Sequence, residues 1–90
     1  MRTVHVIVIG TVQGVGFRFS TRRRAVHLGL AGWVRNQPDG SVALCAQGSP
    51  GAVDRLISFL KEGPPGASVT SVTIEDIAPD PALTGFDIRF

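Results

Sequence analysis

The sequence has one cysteine, Cys45, two histidines, His5 and His27, and no tyrosine. A lone cysteine closes no internal disulfide. Its neighbours in "SVALCAQ" supply neither a histidine nor a helix start to activate it, so Cys45 is expected to be a small buried thiol on a strand. A Cys-x5-Arg loop, which forms a phosphocysteine in some phosphatases, is missing because Gly51 stands at the arginine position. His5 alternates with core valines and His27 falls on a helical stretch. No Cys/His/Asp cluster at ligand spacing accompanies either, so no metal is expected. The longest apolar run near the N-terminus, "VIVIG", is far short of the ~20 residues of a membrane span and has no cleavage site after it. No membrane partner is expected, and the cytoplasm is the expected compartment.

Acidic residues are scarce in the first half of the chain. Residues 1–45 carry six arginines, Arg2, Arg18, Arg22, Arg23, Arg24 and Arg35, against Asp39 alone, giving +5; residues 46–90 carry Arg55, Lys61 and Arg89 against six acids, giving −3. The net +2 therefore conceals a positive first half that favours an anionic partner, either a small phosphate or a nucleic acid. Ninety residues make one domain, spanning 1–90, with room for one core and one shallow site. With 43% hydrophobic and 18% charged residues, the chain has the composition of a folded globular protein.

The hydrophobic pattern gives the order of elements. Val4, Val6 and Val8 alternate with His5, Ile7 and Ile9, which predicts a central strand covered on both sides. No Pro or Gly interrupts residues 17–28, where Phe17, Thr21, Ala25 and Leu28 form the apolar stripe of a helix closed by Gly29; Arg22, Arg23 and Arg24 lie off that stripe as a solvated face. In "GWVRNQPDGSVALCA", Pro38-Asp39-Gly40 turns a hairpin. Ser49 and Pro50 start a second helix with Val53, Leu56, Ile57 and Leu60 on one face, and "GPPG" ends it. "VTSVTIEDI" and "FDIRF" read as two final strands, and Trp33 and Phe90 are read as core aromatics. The order is that of an α+β fold, a ferredoxin-like βαββαβ sandwich: a mainly antiparallel sheet, two helices on one face and a short extra C-terminal strand.

The stretch "GTVQGVGFR" joins the first strand to the first helix. Backbone N–H groups at a helix start lack partners and sit at the positive end of the helix dipole, so they favour an anion. Gly14 and Gly16 allow successive N–H bonds to point inward as a nest, and Arg18 adds a permanently charged fork over the same oxygens. The spacing of Gly10, Gly14 and Gly16 fits neither G-x-G-x-x-G nor the Gly-Lys-Ser/Thr of a nucleoside triphosphate loop. A purely structural turn is the plain alternative. Asn36, just before the hairpin turn, similarly reads either as a turn opener or as part of a site. Spacing alone does not decide whether it meets Arg18.

"GTVQGVGFR", "LGLAGWVRNQPDGSV", "GPPGASV" and the closing "FDIRF" resemble the acylphosphatases, in the same order and over nearly the whole chain. The resemblance implies the ferredoxin-like sandwich and hydrolysis of the carboxyl-phosphate bond of acyl phosphates without metal or cofactor. It places the phosphate on a loop of Gln13, Gly14, Val15, Gly16, Phe17 and Arg18, and gives Asn36 the role of orienting the attacking water. It further implies a small acyl phosphate substrate, with phosphate or sulfate as anion ligand; the oligomeric state is open, with a monomer as the default expectation. Thr11, where a basic residue is common, and Ala43, where an acid is common, depart from the pattern, but neither is one of the two catalytic positions.

The chemistry suits what the chain contains. The leaving group is already a good carboxylate, so no strong general acid is needed, and the reaction depends on positioning and charge stabilisation. Two other readings compete. One is an acylphosphatase-like module that binds without turnover or works within a larger assembly, against which both Arg18 and Asn36 are present. An RNA-binding reading rests on a faint likeness of "QGVGFRF" to the RNP1 pattern, but RNP1 belongs on a central strand with stacking aromatics. No nucleic acid is expected as a partner.

Overall fold

The computed structural model describes residues 1–90. Seven elements follow in the order β1 (Arg2–Thr11), α1 (Phe17–His27), β2 (Ala31–Asn36), β3 (Val42–Gly48), α2 (Pro50–Glu62), β4 (Ser68–Ile77) and β5 (Phe86–Arg89). The strands form one sheet in the order β4-β1-β3-β2-β5, antiparallel except for the parallel pairing of β2 with β5. This is the expected α+β sandwich, with β5 as the short additional strand.

Val4, Val6 and Val8 turn toward the helices and are fully buried, packing with Val42, Leu44 and Ala46 of β3 and with Val53, Leu56 and Leu60 of α2. At the centre of this layer, Leu44→Ala would remove a side chain with no exposure, at a cost of about 2–5 kcal/mol. That is a large share of the ~5–15 kcal/mol that holds a domain folded.

Two expectations need correction. β1 is interior to the sheet, but only one of its faces is covered: His5 and Ile7 are half-buried and Ile9 is exposed at 47%. An apolar strand pattern reports burial on both sides only where a second layer exists, and both helices here lie on the same side. Trp33 and Phe90 are not core either. Trp33 is half-buried on the helix-free face, with Arg35 at 5.3 Å and Arg89 at 4.8 Å from its ring, while Phe90 is 95% exposed. β3 is buried along most of its length, Cys45 included, because it is the middle strand and the neighbouring His5 and Trp33 rings, 5.9 Å apart, shelter its open side.

The remaining punctuation works as read. Ser49 caps α2, its Oγ accepting from the Ala52 N–H at 3.3 Å with Pro50 opening the helix. Leu28 caps α1 and Gly29 follows it. The loop after β4 is tied to the sheet by Gln47, whose amide donates to the Asp80 carbonyl at 3.0 Å and accepts from the Asp80 N–H at 2.8 Å. A register shift at Ile9/Gly10 distorts the β1 pairing with β4 just before the connection to α1, as bulges do.

Candidate functional site

The connection from β1 to α1 leaves a run of donors unused. Gly16 is the N-cap of α1, with φ of 75° and no side-chain cap, and Gly14 has φ of 76°. These left-handed conformations strain any residue with a Cβ, which explains why glycine stands at both positions. The first N–H of the helix to be bonded is that of Ser20, to the Gly16 carbonyl at 3.0 Å; the N–H groups from Gly14 to Phe19 meet no protein acceptor. Such a row at the positive end of a helix is suited to hold an oxyanion.

Arg18, in the first turn of α1, lines the same cleft as Gly14 and Gly16. Its guanidinium lies 4.7 Å from the centre of the Phe90 ring, with one Nη 3.4 Å from the Arg89 carbonyl. The side chain is thus braced by the last residue of β5 and by Phe90 after it, and no carboxylate neutralises it, since the ion pairs of the chain are those of Arg2 with Asp54 and Asp76.

Asn36 enters from the other side. It is paired in register with Val42 and shares a strand face with buried Val34, so it points to the helix side of the sheet at the end nearest the α1 start. Asn36 and Arg18 line one cleft of about 180 Å³, whose floor is Val12 and Phe17. The plain reading of Asn36 as a turn opener does not hold. The turn is made by Gln37, Asp39 and Ser41, while the Asn36 Oδ1 is buried without a hydrogen-bond partner. A buried acceptor left without a partner costs about 1–3 kcal/mol.

Gln13 joins the two halves. Its amide Nε2 donates to the Gln37 carbonyl at 2.8 Å and to the Ser41 carbonyl at 2.9 Å, pinning the glycine loop to the β2–β3 turn. Its side chain is therefore spent on holding the loop. The Asp39 carboxylate accepts from the Ser41 hydroxyl at 2.6 Å and from its N–H at 2.9 Å, and these bonds hold its pKa below the ordinary carboxylate value.

Of the residues named from the sequence, the fold places Gly14, Gly16, Phe17, Arg18 and Asn36 on one cleft, whereas Gln13 and Val15 do not line it. The sequence reading missed the Gln13 bridge, the Phe90 brace and Phe19, which also lines the cleft. No spacing rule links residues 18 and 90, so nothing in the sequence signalled that contact. The arginine run is divided by helix geometry: Arg22 donates from Nε to the Phe86 carbonyl at 3.0 Å, whereas Arg24 stacks 4.8 Å from the Phe59 ring. A larger open groove of about 560 Å³ between the helices includes Arg23, Arg24 and Glu62, but none of the unpaired loop donors. The RNP1 likeness fails on position: residues 13–19 open a helix, and Phe17 is buried at 1% exposure. No group of three or more His, Cys, Asp or Glu side chains is arranged for a metal.

The family model for acylphosphatase matches residues 4–88 of this chain. The chain belongs to the acylphosphatase family. It is 49% identical over 88 residues to the acylphosphatase of Rubrobacter xylanophilus, covering 98% of this chain and 80% of that protein. It is 47% identical to the acylphosphatase of Methylococcus capsulatus, covering 98% and 96%. The crystal structure of acylphosphatase from Bacillus subtilis superposes with a TM-score of 0.96 over the whole of both chains at 34% identity.

Proposed function

We propose that this member of the acylphosphatase family hydrolyses small acyl phosphates in the cleft between the β1–α1 loop and the end of β2. The phosphoryl oxygens take the free N–H groups of Gly14, Val15, Gly16, Phe17 and Arg18, and the Arg18 guanidinium closes over them. Gln13 belongs to this loop as its anchor. The Asn36 amide holds a water in line with the carboxyl-phosphate bond.

The water oxygen attacks phosphorus, and the bond from phosphorus to the carboxyl oxygen breaks with its electron pair leaving on the carboxylate. The proton of the water passes to a phosphate oxygen. Asn36 is neutral and takes no proton; it orients. Charge growing on the phosphoryl oxygens meets donors already fixed in direction, so little reorganisation is needed as the reaction proceeds. No metal or cofactor is assigned a part. Inorganic phosphate or sulfate, which presents the same oxygens, is expected to bind as a competing anion, and the chain is expected to act as a monomer in the cytoplasm.

The observation that carries this reading is the convergence of Arg18 and Asn36 on one cleft from separate elements. Benzoyl phosphate hydrolysis in excess chelator tests it, with wild type compared with Arg18→Ala and Asn36→Ala. Turnover by the wild type that is lost in both folded variants is expected. A folded wild type without turnover would overturn the proposal.

A further inference from the structure

Phe19 is anomalous among the residues of the cleft. Val12 and Phe17 are its floor, each 1% exposed, and the glycines offer only backbone. Phe19 also lines the cleft, yet it is 63% exposed, one of the few large apolar side chains the chain leaves in solvent. It follows Arg18 directly on the first turn of α1 and therefore stands at the rim of the phosphate site.

Size decides what meets it. A cleft of about 180 Å³ is smaller than the roughly 300–1,000 Å³ of pockets that enclose a whole small molecule, so it accommodates the phosphoryl end alone. With three phosphoryl oxygens held by the loop, the fourth, which carries the acyl group, points outward. The acyl group must then cross the rim, and Phe19 is the exposed apolar side chain there.

We propose that Phe19 is a specificity-determining contact for the acyl group, and that the enzyme favours acyl phosphates with an aromatic or bulky apolar acyl group over acetyl or carbamoyl phosphate. The inference rests on the hydrolytic reading above and names the substrate class for that site. A ring partly covered by an apolar acyl group loses hydrated surface that a methyl or amino group cannot cover. Phe90 acts differently. It braces Arg18 and is not part of the cleft lining, so its effect passes through the phosphate contact shared by every substrate.

The test compares kcat/KM for benzoyl and acetyl phosphate in wild type, Phe19→Ala, Phe19→Leu and Phe90→Ala. Phe19→Ala is expected to lower the benzoyl-to-acetyl ratio about tenfold, the size of effect one hydrophobic contact gives in a specificity site, chiefly through KM for benzoyl phosphate. Phe19→Leu should recover part of the ratio, and Phe90→Ala should lower both substrates alike. Because Phe19 is exposed, its variants are expected to keep the wild-type Tm. A ratio unchanged in Phe19→Ala, with both substrates cleaved by the wild type, overturns this inference and leaves the hydrolytic reading standing. Cleavage of neither substrate by a folded wild type overturns both.

Discussion

The side-chain amide of Gln13 lies 2.8 Å from the Gln37 carbonyl, so the loop leading to Arg18 is fastened to the residue that follows Asn36. A second bond from the same nitrogen, to Ser41, secures the other side of the turn. Gln13→Ala is expected to lower kcat about tenfold, since the loss of a hydrogen bond is worth about 0.5–1.5 kcal/mol and about 1.4 kcal/mol is a factor of ten. Gln13→Glu should be worse, because a carboxylate facing two carbonyls repels where the amide donated. Steady-state kinetics alongside thermal melts separate the misplaced site from a general loss of stability.

Arg18 carries the permanent charge of the cleft and has no competing carboxylate. Arg18→Ala is expected to reduce turnover by about 10²–10³, the typical effect of removing one electrostatic donor. Arg18→Lys should recover only part of it, because an ammonium lacks the planar fork that spans two oxygens. Phosphate inhibition constants measured on the same variants will show whether the loss begins with anion binding.

For Asn36, stability and activity should diverge. Its Oδ1 is buried and unpartnered, so Asn36→Ala removes an unsatisfied acceptor and is expected to leave Tm unchanged or raised while turnover falls about 10²-fold. Calorimetry and the benzoyl phosphate assay on one preparation decide the point. A drop of several degrees in Tm would show that the amide serves the fold.

Gly16 is the uncapped start of α1 at φ of 75°. Gly16→Ala places a Cβ in the left-handed region at a cost of about 1–2 kcal/mol, although the space beside it is open. Chemical denaturation should report that loss, and turnover should fall with it as the N–H groups of the loop change direction.

Asp39 gives the turn a pH dependence. Its folded pKa is depressed, foremost by the Ser41 hydroxyl and then by the Ser41 N–H. A depressed carboxylate contributes stability that is present above its unfolded pKa and is lost as pH falls through the lower folded value. The Tm difference between wild type and Asp39→Ala is therefore expected to be full near neutrality and to shrink in the acid range below the ordinary carboxylate pKa. A difference that stays constant through that range would contradict this account.

The order of elements was written in the local pattern. The stripe of Phe17, Thr21 and Ala25, the Ser49-Pro50 start of α2 and the Pro38-Asp39-Gly40 turn each specify a structure over a few residues, because propensity and capping act at that range. The glycine loop and its arginine were legible for the same reason: a helix start has free N–H groups whatever surrounds it. Topology was needed for the rest. Only the pairing of β2 with β3 and β5 brings Asn36 to the α1 start, and only the end of β5 carries Phe90 to Arg18 across 72 positions of sequence. Periodicity also misjudged His5, Ile7, Ile9, Trp33 and Phe90, because an alternating pattern gives the sides of a strand and not whether a second layer covers them. The sequence alone determined the elements and the glycine loop with its free N–H groups, whose causes are local. The tertiary structure decided which side chains share a cleft and which stay in solvent, because those contacts form only when distant strands pair.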